Sequence, residues 1–562
     1  MKVVIGKQDF VSLRENNYFY IDKTGLIEEW WEAGDDVTLI TRPRRFGKTL
    51  NMSMLNCFFS NKYSGRGDLF EELKIWENEK YRELQGTYPV IFLSFAGVKA
   101  DNLTDAKTQI KTLIAELYEQ NRYLVNDDLL SDNEKNIFNS VNIHMDDALS
   151  YSALNTLCRY LERHHNRKVI ILLDEYDTPM QEAYVNGYWD EFTSFIRNIF
   201  NNTFKTNPYL ERAIMTGITR VSKQSIFSDL NNLNVITTTS EKYSTYFGFT
   251  EDEVFDALEL FDLSERRADV KWWYDGFTFG SHTDIYNPWS IINFLSEKEL
   301  KPYWASTSAN ALVNKLIRTA SPDIKEMMED LLCSNEIVVS FDEQIIFNQL
   351  DTDENAIWSL LMASGYLKVN SIEYRGILRK PWYHLSITNL ETLGMFSNMF
   401  SSWFAIGDAH YNKFVEALLN GNLKEMNIYM NDIALSTFSS FDTGTHPSGR
   451  SQPERFYHGF VLGLISDLRD IYEIKSNRES GYGRYDVMLI PIDANDSRHD
   501  AIILEFKVYD AADERSLEDT AQSALAQIVD KNYDAEILNR GIPANRIRHY
   551  GFAFEGKKVF IA

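Results

Sequence analysis

Four stretches of this chain carry residue types at spacings that could do chemistry. The first ends "TRPRRFGKT" (41–49) in Gly47-Lys48-Thr49. A loop that cradles phosphate needs a strand delivering the chain, backbone N–H groups converging on the anion, and a helix N-terminus behind them. "VTLIT" supplies the strand and "TLNMSMLNCFFS" the helix. Gly47 permits close backbone approach, Lys48 reaches the β- and γ-phosphates, and the Thr49 hydroxyl suits Mg²⁺. Arg42 stands where such a loop usually has its first glycine, and Arg42, Arg44 and Arg45 can compensate because guanidinium groups pair well with phosphate. Taken alone, the loop fits a phosphate cradle and a chance GKT beside a solvated arginine face equally well.

The second stretch is "KVIILLDEYD" (168–177), an apolar run that ends in Asp174-Glu175. Parallel sheets gather their ligands at the C-terminal ends of strands, so Asp174 is placed to hold Mg²⁺ through water and Glu175 to polarise an attacking water. A further apolar run, "IMTGITRVSK" (214–223), offers Thr216 or Thr219 as a γ-phosphate sensor and Arg220 as a neutraliser of transition-state charge. Its bland alternative is a strand-turn with a surface arginine. The fourth stretch is "AIILEFKV" (501–508), where strand alternation puts Glu505 and Lys507 on one face and Leu504 and Phe506 on the other. Asp486, in "RYDVMLI", lies on the strand before it. Without its surroundings, this pattern also describes a surface strand of alternating charge.

The elements that must position these groups follow from apolar periodicity. Between about 37 and 250, "VTLIT", "VIFLSF", "VIILLD" and "RAIMTGI" read as buried strands, and 108–124 and 188–202 as helices between them. That alternation predicts an α/β domain over 1–250, a parallel sheet covered on both faces. Residues 251–430 have mainly helical spacing and predict a lid and linker module, with a small winged element around 366–388. From 452 to 562 the order α-β-β-β-α-β predicts a compact α/β domain.

Net charge is -25, so the surface as a whole repels nucleic acid and anionic membrane, and a polyanion must meet a local basic site. Lys475, Arg478, Arg484 and Lys507 surround the expected hairpin of the last domain and are the candidates for such contacts. Cys57, Cys158 and Cys333 are scattered without metal-ligand spacing and read as buried thiols of a reducing compartment. The first residues lack a signal-peptide core and the apolar runs are shorter than a membrane span, so the expectation is a cytoplasmic protein with no membrane partner.

Several motifs together, "FVSLRENNYFYIDKT" (10–24), "TRPRRFGKT", "LLDEYDTP", "GITRVSKQSIFSDLNNL" (217–233), "WYDGFTFG" (273–280) and "YNPWSIINFL" (286–295), resemble the bacterial AAA-ATPase-like family, whose members usually carry a C-terminal PD-(D/E)xK nuclease-like domain. The resemblance implies a P-loop NTPase fold of AAA/STAND type with ATP and Mg²⁺ as cofactors, followed by a restriction-endonuclease-like domain. In that family the arginine-rich loop is the usual form. The resemblance also implies that Asp22, Lys23 and Thr24 lie near the nucleotide. For the last domain it implies Mg²⁺ on Asp486 and Glu505, Glu454 completing the metal shell, Lys507 orienting water, and Gln527 and Tyr533 beside them. Tyr485 stands where the family name has proline, a position that varies widely. Two functions compete: an ATP-controlled, Mg²⁺-dependent nuclease acting on nucleic acid, and an ATP-switched scaffold whose nuclease-fold domain binds without cutting. In the second, the middle region serves an oligomer or protein partner. A small-molecule kinase fits less well, because no acceptor-site pattern is found.

Overall fold

The computed structural model describes residues 2–126, 129–219, 226–227, 230–304, 321–332, 335–343, 353–396, 408–437, 471–480, 483–494, 498–509, 514–555 and 558–562, with the single positions 313, 316, 350, 461, 465, 468 and 496. The chain forms two compact units, Met1–Val313 with Val338–Thr392, and Asn314–Ile337 with Leu393–Ala562.

The first unit is built on a five-stranded sheet of β1 (Val37–Thr41), β2 (Val90–Ser94), β3 (Val169–Asp174), β4 (Leu210–Gly217) and β5 (Leu233–Ile236), in the order β2-β3-β4-β1-β5. Every neighbouring pair is parallel. β1 and β3 are buried along their whole length, which is why their sequences run apolar without alternation. β4 lies between them, pairing Thr41 with Gly217 and Leu173 with Met215, so the Gly47 loop and Asp174 leave the sheet at the same edge. The covering helices begin at polar caps: Asn102 accepts from the Asp105 N–H at the head of Leu103–Gln120, and Asp146 from the Leu149 N–H at the head of Asp147–His165.

Two small sheets complete this unit. β6 (Phe249–Thr250), β7 (Phe277–Phe279) and β8 (His282–Tyr286) form one in the order β6-β8-β7. β9 (Ile337–Val339), β10 (Leu367–Arg375) and β11 (Lys380–Ile387) form the other in the order β10-β11-β9, and its β10–β11 hairpin occupies the stretch read as a winged element. The expected 251–430 module is shared between the units. Residues 251–304 and 338–392 group with the loop sheet, where Phe46 packs edge-on against Phe277 and Phe279 at ring-centroid separations of 4.8 and 5.4 Å. Residues 408–437 group with the last domain.

The second unit holds a five-stranded mixed sheet of β12 (Tyr472–Ser480), β13 (Gly483–Pro491), β14 (Ala501–Val508), β15 (Ile547–Glu555) and β16 (Lys558–Ile561), in sequential order. β14 and β15 are parallel and the other neighbours antiparallel, and the last β of the α-β-β-β-α-β order is the hairpin β15–β16. Val487, Leu489, Leu504, Phe506 and Phe552 face the helices Asp408–Asn420 and Leu423–Thr437, joining Phe414, Met426 and Met430 in one core. Met488, Ile490 and Ile503 face the other way, toward Ile528, Tyr533 and Ile537. Of the helix expected at 453–469, only Val461, Ile465 and Leu468 lie among the described residues, and all three are buried.

The open edge of β16 is closed by two asparagines one helical turn apart. Asn427 donates to the Ile561 carbonyl and accepts from the Ile561 N–H, both at 2.8 Å. Asn431 does the same at Val559, at 2.6 and 3.0 Å. Side-chain amides thus replace a missing neighbour strand, the protection that an exposed sheet edge requires. Elsewhere, Glu251, Asp275 and Asp284 converge in the first unit, and the Lys271 ammonium lies among them, paired with Glu251 and, at 3.4 Å, with Asp284. Burial, then a hydrogen bond shared with Asp284, raises the Asp275 carboxyl to about 7.

Replacing one edge-closing amide, Asn427→Ala, is expected to lower unfolding free energy by about 1–2 kcal/mol in urea, because both polar groups of Ile561 lose their partner. Asp275 gives a pH signature. Its folded value lies above the ordinary range near ~3.9, so the folded state holds the extra proton and stability falls as pH rises through that window. Asp275→Asn should therefore melt higher than the parent at about pH 8, by roughly 2–4 °C, with the advantage closing toward about pH 4.

Candidate active sites

The loop that leaves β1 turns its main chain and its side chains to different tasks. Gly47, at φ 78°, caps the helix Lys48–Phe59 in the left-handed region that glycine occupies without strain. The Lys48 ammonium is 4% exposed and donates to the carbonyls of Arg42 and Pro43 at 2.9 and 2.7 Å. Burial lowers its proton affinity, opposed by Glu175 and Asp174. An ammonium held by neutral carbonyls, in a site where charge is costly, favours an incoming anion.

The neighbouring side chains anchor the loop. Arg42 is fully buried, donates to the carbonyls of Thr41 and Thr237 at 2.9 and 2.7 Å, and lies 4.7 Å from the centre of the Phe279 ring. Burial pulls its guanidinium down to about 9. Arg42 is thus a structural rivet, which corrects the expectation that it compensates for the absent glycine as a phosphate ligand. The Arg44 carbonyl accepts from the Trp304 indole at 3.1 Å, while the Arg44 side chain is exposed. Arg45 is also exposed, and its guanidinium stacks 3.6 Å from the centre of the Trp289 ring.

Asp174 is fully buried and ties the other elements to the loop. It accepts from Thr49 Oγ1 at 2.7 Å and from Thr216 Oγ1, so β3, β4 and the first turn of the helix Lys48–Phe59 meet at one carboxylate. Burial raises this carboxyl and the hydroxyl bonds oppose the rise. Glu175, next in sequence, has φ 51°, a left-handed conformation that costs a non-glycine residue about 1–3 kcal/mol and clusters at functional sites. Asp177, which the spacing did not single out, accepts from the N–H groups of Ile218 and Thr219 and from the Thr219 hydroxyl, at 3.0, 2.8 and 2.7 Å. The hydroxyls of Thr216 and Thr219 therefore hold carboxylates, and their geometry speaks against a direct γ-phosphate sensor. Arg220 lies outside the described residues.

A cavity of about 470 Å³ opens over the loop. Its lining includes Lys7, Lys23, Arg44, Arg45, Lys48, Lys99, Thr49, Glu175, Tyr20, Tyr246, Phe249 and Trp289. Within "YIDKT", only Lys23 of the three implied residues reaches this lining, and its ammonium is paired with Glu253 at 2.6 Å and bonded to the Thr245 carbonyl at 2.7 Å. Asp22 and Thr24 serve the fold instead. Asp22 accepts from Thr24 and from the Lys74 N–H, and Thr24 Oγ1 from the Ile75 N–H. Lys99 and Trp289 were missed because their approach to the loop depends on chain folding; Trp289 does sit in the "YNPWS" motif.

In the second unit, Asp486, Glu505 and Lys507 share a sheet face with the helix Leu517–Asp530 above it. Asp486 Oδ2 accepts from the Phe506 N–H at 2.8 Å, placing it beside Glu505. Gln527 donates to Glu505 Oε1 and, at 3.3 Å, to the Tyr533 hydroxyl; Lys507 donates to Ser523 Oγ at 3.3 Å. Burial raises the Tyr533 phenol above its ordinary range, opposed by the Gln527 hydrogen bond and aided by Glu505 and Asp486. Gly551 pairs with Glu505, and a Cβ there would lie 2.3 Å from the Ala521 carbonyl, so glycine is what lets the helix come down on the site. Glu454 lies outside the described residues, as do the side chains of Arg478, Arg484 and Tyr485. Lys475 is paired with Glu536 and Glu473, which corrects its expected place among the phosphate contacts.

Residues 4–227 match the family described as predicted AAA-ATPase, and residues 452–562 match the PD-(D/E)XK nuclease superfamily. Over 549 residues the chain is 24% identical to an uncharacterized protein in the vnfD 5′ region of Azotobacter chroococcum mcd 1, spanning 96% of this chain and 95% of that relative. Among the described residues no helix is long and apolar enough to cross a membrane. The chain thus joins an AAA-ATPase-like domain to a C-terminal domain of the PD-(D/E)XK nuclease superfamily.

Proposed function

We propose that this chain binds and hydrolyses ATP at the Lys48 loop, and that its nucleotide state controls a Mg²⁺-dependent nuclease centred on Asp486, Glu505 and Lys507. The cavity carries the reading: in a chain of net charge -25, Lys7, Arg44, Arg45, Lys48 and Lys99 line one pocket together with Glu175. Such a pocket selects a compact polyanion against the sign of the whole molecule.

On this reading Lys48 exchanges its two carbonyl partners for phosphate oxygens while the loop amides and the helix N-terminus bind the rest of the triphosphate. Thr49 and Asp174 offer only hard oxygen donors and are already joined, which fits Mg²⁺. Bound there, the ion would neutralise charge on the β- and γ-phosphates. Glu175 accepts a proton from the attacking water as the water oxygen bonds to the γ-phosphorus and the bond to the bridging oxygen breaks, releasing ADP and phosphate. Arg220 follows Thr219, whose backbone Asp177 fixes, and would bring positive charge to the transition state.

In the second unit, Asp486 and Glu505 again supply oxygen donors suited to Mg²⁺ or Mn²⁺, with Glu454 as a further donor. Gln527 orients Glu505, and Lys507 holds the water that attacks a phosphodiester phosphorus as one ester P–O bond breaks. Control has a covalent route: the chain runs from the first unit into the second at 314, back at 338 and out again at 393. One observation favours the alternative of a switched scaffold. Lys475, a cation expected to meet a nucleic-acid backbone, is neutralised by Glu536 and Glu473.

Lys48→Ala is expected to weaken ATP binding at least ~100-fold by calorimetry, since it removes a charge-assisted phosphate contact from a buried site. Glu505→Gln and Lys507→Ala should each reduce Mn²⁺-dependent cleavage of single-stranded or duplex DNA or RNA to below ~1% of the parent while leaving ATP binding intact. A parent that binds ATP but leaves all these substrates whole, with Mg²⁺ or Mn²⁺ and with or without ATP, contradicts the nuclease half and favours the scaffold.

A further inference from the structure

Arg45 is held by an aromatic face. Its guanidinium carbon lies 3.6 Å from the centre of the Trp289 ring, and among the described residues it makes no ion pair. The platform is itself fixed. The Trp289 N–H donates to the Asn287 cap at 2.8 Å, Pro288 stiffens the first turn of its helix, and the indole N–H donates to the Tyr303 carbonyl at 3.2 Å. Arg45 and Trp289 line the same cavity as Lys48, Thr49 and Glu175. Arg45 also has φ 67°, so the backbone carries this side chain in a conformation that disfavours having one.

The kind of partner matters. A carboxylate could fix an arginine equally well, and this chain has 82 acidic residues from which to draw one. It would also cancel the charge that a phosphoryl group needs to meet. An indole face orients a guanidinium through its quadrupole and leaves the full charge in place. Arg42 shows the contrast within the same loop: it also lies on a ring, that of Phe279, but is fully buried and bonded to carbonyls.

Resting on the ATPase reading above, we propose that Trp289 is a positioning residue for hydrolysis, holding Arg45 over the cavity so that its guanidinium meets the γ-phosphoryl group as charge develops there. Trp289 makes no bond to the reacting atoms; it acts through Arg45. Because that contact strengthens as the terminal phosphoryl separates, its loss lowers kcat more than it weakens binding.

The test uses the full chain with Mg·ATP and the variants Trp289→Phe, Trp289→Leu, Arg45→Ala and Trp289→Leu with Arg45→Ala. Trp289→Leu, which keeps apolar bulk but loses the π face, should lower kcat about 10- to 100-fold with KM changed less than about 3-fold. Trp289→Phe should recover most of the rate. The double variant should be no slower than Arg45→Ala alone, because the two residues act as one device. Equal rates for the Leu and Phe variants, or additive losses in the double variant, overturn the proposal while the ATPase reading stands. Absence of any Lys48-dependent turnover in the parent overturns both.

Discussion

The first unit depends on a division of labour in the loop 42–47. A phosphate cradle needs its main chain free to face an anion, so its side chains must take over the task of holding it in place. Arg42 is riveted under Phe279, Phe46 is wedged against Phe277 and Phe279, and Arg45 lies on Trp289. The Arg44 carbonyl is held by Trp304. A glycine-rich loop would keep the carbonyl contact but leave the side-chain contacts unmade. The arginines and the phenylalanine make this loop rigid and bind the sheet to residues 277–304 in one step, so that whatever moves the loop must also be felt there.

The same economy runs through the acidic side of the site. Asp174 and Asp177 are buried carboxylates whose burial raises their proton affinity, and each is stabilised by hydroxyl or amide donors. Asp174 collects Thr49 and Thr216; Asp177 collects Ile218 and Thr219. Glu175 between them is left to face the cavity from a strained backbone. In the second unit a different sheet reaches a comparable arrangement, with Asp486 and Glu505 held by a backbone N–H and a glutamine amide. There, period-two alternation separates the polar face from the packed core.

Much of this was legible in the chain because local patterns decided it. Apolar runs located β1 to β4, and β1 and β3 are buried on both faces as their runs imply; β2, at the sheet edge, buries only Ile91 and Leu93, and β5, short and mixed as "LNVI", was not found. Alternation in "AIILEFKV" set which face carries Glu505 and Lys507, and the register with β13 brought Asp486 beside them. What was not legible depends on distant partners. Nothing near Arg42 announces Phe279, and nothing near Asp22 announces the backbone of Lys74. The asparagines that close β16 sit on a helix more than a hundred residues upstream, and their side chains read locally as ordinary surface amides. How the middle region divides between the two units was hidden for a related reason. Helical periodicity reports that a segment has an apolar face, but not which sheet that face will cover.

In the proposed ATPase the 44–49 main chain receives a triphosphate while the loop side chains pass its effect to residues 287–304. Amide hydrogen exchange of the full chain with and without Mg·ATP tests it directly. Slowed exchange is expected both in the loop and in the helix Pro288–Glu297. Protection confined to other segments, or none at saturating nucleotide, would contradict it.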